Sequence, residues 1–123
     1  MELLLFSLFM KHAFADLFLQ SFRTPGNKAQ LLSKSNALHS GDHGILTVLV
    51  FLAFGFQLEV ALVLGLIDFI LHYTIDGLKT KFVQYKGWSR DGRVFWRLQS
   101  LDQMLHYATY GFLIFLVDIY HVL

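Results

Sequence analysis

Apolar residues in this chain come in four long stretches, 3–22, 37–55, 58–82 and 98–121, and the polar residues inside them recur at intervals of four. Each stretch is close to the length of about 20 residues that a helix needs to cross a bilayer. The third shows the pattern best. It reads LIDFILHYTIDGLK from Leu66 to Lys79, with Asp68, His72 and Asp76 four residues apart. Residues i and i+4 share a helix face, so these side chains form one polar stripe on an apolar rod, adjacent members about 6 Å apart along the axis. The interval recurs as His12 with Asp16, His39 with His43 and Asp102 with His106. The pattern predicts an all-α fold, a four-transmembrane-helix bundle forming a single integral membrane domain over residues 1–123.

The connections follow from the residues between the stretches. Pro25-Gly26 marks a turn, with room for a short interfacial turn near Ala29 to Leu32. Ser35 and Asn36 are placed to cap the second helix, Gly55 to Gln57 makes a tight link to the third, and Gly77 weakens the third near its end. Ala13-Phe14-Ala15 mimics a signal-peptide cleavage site. Glu2 near the start, no early basic charge, and Lys11-His12 in the small-residue region favour a spanning helix instead.

Composition agrees with a membrane bundle. The hydrophobic share is 55%, with 13 Phe and a mean hydropathy of +0.52, above the roughly 45–50% of a soluble domain. Net charge is only +1, but nine of the ten Lys and Arg lie between residues 23–34 and 79–97, the exception being Lys11. With four spans these two basic stretches share a side. The positive-inside rule makes that side cytoplasmic and both termini non-cytoplasmic. Trp88 and Trp96 suit the membrane–water interface. All four i, i+4 pairs then fall at one depth, near the cytoplasmic face, while Glu2, Glu59, Asp118 and His121 fall at the other end.

The absence of cysteine excludes a disulfide framework and leaves imidazole and carboxylate as the only ligands for a metal site. Such donors suit a divalent metal ion, Zn, Mn or Fe. The candidate ligands are His12, Asp16, His39, His43, His72, Asp76, Asp102 and His106. Eight are more than one ion needs, so either two ions sit together or some residues orient the imidazoles of others. His39 and Asp68 suit the latter role or helix capping; Gln20 and Gln103 can hydrogen-bond a ligand or substrate. The bland reading stands beside this one. A single His in a membrane helix is more often an interhelical hydrogen-bond partner than a ligand, and Asp76 with Lys79 can be a simple interfacial ion pair. Four pairs at one depth tip the balance toward a site.

The strings KHAFADLFLQS, LHSGDH, HYTIDGLK and DQMLH, with Asn27-Lys28 between the first two, resemble DUF3307, a family of bacterial and phage membrane proteins of unknown function. The resemblance spans Lys11 to His106. Leu17 stands between Asp16 and Phe18, where the family start reads Asp-Phe, and Asp42 inside the His pair is a further departure. The resemblance implies a small helical membrane bundle in a bacterial inner membrane, in some cases phage-encoded. It implies no activity. A more distant similarity to small membrane proteins labelled metal-dependent hydrolases points toward hydrolysis.

Three functions fit these residues. A metal ion with open positions makes a hydroxide nucleophile at neutral pH. Asp68 or Asp102 would act as general base, and Lys79, with Lys81 and Arg97 nearby, would hold a phosphate, giving hydrolysis of a lipid or other amphiphile. Alternatively the metal staples a bundle that binds another membrane protein, as in phage exclusion or host takeover, or forms a homo-oligomer. Ion or proton translocation is the third reading, against which VLVFLAF and FLIFLV offer no continuing polar path. Expected contacts are membrane lipids and not nucleic acid.

Overall fold

The computed structural model describes residues 1–22, 34–89 and 91–120. The predicted turns at Pro25-Gly26 and Ala29 to Leu32, and Arg23, Lys28, Arg90 and His121, lie outside them. The described residues form four α-helices and no strand: α1 (Glu2–Ala13), α2 (Lys34–Ala53), α3 (Leu58–Lys86) and α4 (Arg93–Ile119). A π-helical segment, Phe14–Leu19, continues α1. All-α is therefore the observed class. Among the described residues one helix, Leu58–Lys86, is long and apolar enough to cross a membrane. Helix α1 is too short, at 12 residues, before its π-helical continuation, and polar residues dilute α2 and α4.

Two helix boundaries depart from expectation. Ser35 and Asn36 lie inside α2, not ahead of it, and the Asn36 amide donates to the Tyr73 carbonyl of α3 at 3.2 Å. Helix α3 runs past its expected end at residue 82, uninterrupted by Gly77. That glycine is buried in the interior of the bundle, and the penalty of about 1 kcal/mol for a mid-helix glycine is outweighed by the turns that follow. The helix stops instead at Gly87, whose φ of +62° is left-handed. There Gly87 N–H donates to Gln84 O and Trp88 N–H to Val83 O, the paired bonds of a Schellman cap. The α2–α3 link uses the same device. Gly55 has φ +85°, Gly55 N–H donates to Leu52 O, and Phe56 N–H reaches back to Phe51 O. The Phe51 and Phe56 rings then meet edge-to-face at 5.1 Å, the apolar contact that accompanies this cap.

The interior has two storeys. At the α2–α3 hairpin end, Leu4, Leu8, Phe51, Phe56, Ala61, Leu64, Tyr110, Leu113 and Val117 make an apolar core. Toward the other end the buried residues turn polar: Lys11, His12, His39, His43, Asp68, His72, Asp102 and His106. Helices α2 and α3 cross where two glycines face each other. A Cβ on Gly65 would lie 2.7 Å from the Gly44 carbonyl oxygen and 2.4 Å from Val48 Cγ2, so the backbones meet at a separation that only glycine permits.

Candidate metal centre

Each helix sends its i, i+4 pair to the same place. His12 comes from α1, Asp16 from the π-helical segment, His39 and His43 from α2, His72 and Asp76 from α3, and Asp102 and His106 from α4. Two groups of donor atoms lie within 4.8 Å of one another: Asp16, His39, His43 and His72, and His72, Asp76 and His106. In every imidazole Nε2 is the atom turned to the carboxylates. Asp16 Oδ1 is 3.1 Å from His43 Nε2 and 3.3 Å from His39 Nε2, and Asp16 Oδ2 is 3.2 Å from His12 Nε2. Asp76 Oδ1 is 3.2 Å from His106 Nε2; Asp76 Oδ2 is 3.5 Å from His72 Nε2 and 3.6 Å from His39 Nε2. Donors on one ion with bonds of 2.0–2.1 Å sit about 2.8–3.4 Å apart along an octahedral or tetrahedral edge, a range that takes in the four shorter of these distances.

The rings of His43, His72 and His106 form a stack, with centroids 3.6 Å and 4.0 Å apart and planes tilted by 23° and 22°. His39 Nε2 and His72 Nε2 face each other at 3.3 Å. Hydrogen bonds alone satisfy this arrangement poorly. The buried Nδ1 atoms of His39, His43 and His72 have no hydrogen-bond partner among the described residues. His12 differs, because its Nδ1 shares a hydrogen bond of 2.8 Å with the Tyr110 hydroxyl.

The other candidates sit around this cluster. Asp102 Oδ2 accepts from Lys79 Nζ at 2.8 Å, and Lys79 also donates to Gln99 at 3.3 Å. Asp102 Oδ1 is buried and has no hydrogen-bond partner among the described residues; its nearest imidazole atom is His106 Nε2, 3.7 Å away. Asp68 is the member of the α3 stripe that does not join. Its Oδ2 accepts from Lys11 Nζ and from Thr47 Oγ1, both at 2.5 Å, and it caps no helix. Lys11 Nζ donates to the His43 carbonyl at 3.1 Å and lies 4.6 Å from the Tyr110 ring centroid. Lys11, Thr47, Tyr110, Gln99 and Tyr107 are the functional neighbours the sequence reading did not assign. Only Lys11 carried a signal, as an ionisable residue in an apolar stretch.

A cavity of about 490 Å³ opens beside the cluster, lined by His12, Asp16, His39, Asp76, Lys79 and Asp102 together with Gln20, Gln99, Gln103 and Tyr107. Gln103 Oε1 is 3.2 Å from His12 Nε2. Asp68 is not on the cavity wall, nor are Lys81 and Arg97, which are exposed. Glu2, Glu59 and Asp118 are exposed and take no part in the cluster.

Residues 4–122 match the model of a family described as a protein of unknown function, DUF3307. No curated protein and no solved structure matches the chain.

Proposed function

This chain belongs to the DUF3307 family, and from that premise we propose that it is a multi-pass membrane protein that binds a divalent metal ion at the His/Asp cluster and hydrolyses a lipid or other amphiphile there. The observation that supports this best is the convergence of His and Asp donors from all four helices beside a cavity of about 490 Å³. A ligand-sized cavity lies at the low end of the range of about 300–1,000 Å³ for small-molecule sites. An ion with an open position lowers the pKa of bound water and supplies a nucleophile at neutral pH.

The chain's own residues fit the remaining tasks. Lys79 Nζ, braced by Asp102 and Gln99, is the cation on the cavity wall and suits an anionic headgroup oxygen. Gln20, Gln99 and Gln103 offer amide donors and acceptors to an uncharged polar group. Leu17 lines the cavity, and Phe14 and Phe18 are exposed with it on the π-helical segment, where an acyl chain would lie against them. Of the two candidate bases, Asp102 lines the cavity, whereas Asp68 is committed to Lys11 and Thr47.

The test is turnover of phosphatidylglycerol in mixed micelles by manganese- or zinc-loaded protein, wild type beside His72→Ala. Loss of at least about 100-fold in the variant supports hydrolysis. Equal turnover in both removes it. The binding-module reading gives a different result, with no turnover of any lipid and a melting temperature that falls when the metal is stripped.

A further inference from the structure

The cluster holds too many donors, spread too far, for one ion. His43 and His106 stack on opposite faces of the His72 ring, so they stand two stacking intervals apart. Two donors of one ion are no more than about 4.2 Å apart, twice a bond of 2.0–2.1 Å. His43 and His106 therefore serve different ions, and no donor group contains both. The two groups share His72. The Nε2 of His72 has a single lone pair and can bind only one ion. Asp76 has two oxygens, and they face different ways: Oδ1 toward His106 at 3.2 Å, Oδ2 toward His72 and His39 at 3.5 and 3.6 Å.

A second observation is independent of this count. Asp102 is 3% exposed, its Oδ2 is held by Lys79, and its Oδ1 is buried with no hydrogen-bond partner among the described residues. A buried carboxylate oxygen left in that state is costly, and this one lies on the His106 side of the cluster, 3.7 Å from His106 Nε2. It stands beside the His72, Asp76 and His106 donors as a further anionic oxygen for an ion there.

Resting on the metal-binding reading above, we propose that the site is dinuclear: one ion held by Asp16, His39 and His43, a second by His72, Asp76 and His106 with Asp102 beside it, and Asp76 linking the two through the Oδ2 that it turns to His39. Two ions also settle the charge. Asp16, Asp76 and Asp102 against Lys79 leave the cavity wall with an excess of negative charge, which repels an anionic headgroup; two divalent ions reverse that sign.

The experiment is manganese loading of the purified full chain, with metal content measured by mass spectrometry and coupling by electron paramagnetic resonance. Two equivalents per chain and an exchange-coupled multiline spectrum are expected. His106→Ala should keep one equivalent and lose the coupling. If that variant does not fold, the near-isosteric Asp102→Asn serves, with affinity for the second equivalent lowered about tenfold or more. One equivalent in the wild type overturns the dinuclear inference while leaving a metal site standing. Two uncoupled equivalents overturn the Asp76 bridge. No bound manganese, zinc or iron removes both this inference and the metal-binding reading.

Discussion

Lys11 and Asp68 show what residue spacing conceals. Asp68 belongs to the same i, i+4 stripe as His72 and Asp76, and the sequence sets it apart as an orienting or capping group without naming its partner. Its partner comes from a different helix, 57 positions away, and the rotation of α1 against α3 is not written in the spacing of either. The pair is almost completely buried, at 4% and 1% side-chain exposure. Removing one member of a buried ion pair leaves an uncompensated charge and costs about 3–5 kcal/mol, whereas replacing both with apolar residues is often neutral. Lys11→Ala should therefore unfold far more easily than wild type in a detergent melt, and Lys11→Met with Asp68→Leu should recover most of the loss. Tyr110 makes a different point. Its hydroxyl fixes His12 through Nδ1, and His12 in turn holds Asp16 through Nε2; such outer partners are typically worth 10–100-fold in metal affinity. Tyr110→Phe should weaken metal binding by about that factor, measured by competition with a chelating dye, with no change in helix content.

At the scale of elements, the four helices and the convergence of their polar pairs were legible because helical geometry maps an interval of four onto one face. Helix ends were less so. Gly77 weakens α3 locally, yet the helix continues past the expected end at residue 82 to Lys86, where Gly87 takes the left-handed cap. The π-helical turn at Phe14–Leu19 had no signal of its own, yet it carries Asp16 to both His39 and His43. The glycine crossing was equally silent, since Gly44 and Gly65 lie on different helices. Gly65→Val should force α2 and α3 apart, because the new Cβ meets both the Val48 side chain and the Gly44 carbonyl. A loss of about 1–3 kcal/mol is expected from such overpacking, read as a lower melting temperature. Adding Val48→Ala should restore only part of it, because the carbonyl stays where it is.

For the whole molecule, the arrangement of storeys makes the membrane reading testable. The polar cluster and the basic ends of α3 and α4 lie at one end of the bundle, and the Phe51–Phe56 hairpin at the other. Cysteines placed at Lys34 and at Glu59, both exposed, should react with a membrane-impermeant thiol reagent from opposite sides in right-side-out and inverted vesicles. Reaction from the same side would dismiss the four-span topology. Ligand that binds only the folded state raises stability by mass action, so chelator should lower the melting temperature of wild type and lower that of His72→Ala by less.

The tight link at Gly55 has a consequence for the order of events during synthesis. Helices α2 and α3 are joined by four residues, so their glycine crossing is a local contact that closes quickly. The cluster is not local: it needs His12 from near the beginning of the chain and His106 from near its end. A nascent chain halted before Asp102 would carry a finished hairpin and an unfinished cage. On the two-ion reading, capture of the second ion is then the last act of assembly, and a doubly loaded molecule is one whose every helix has already found its place.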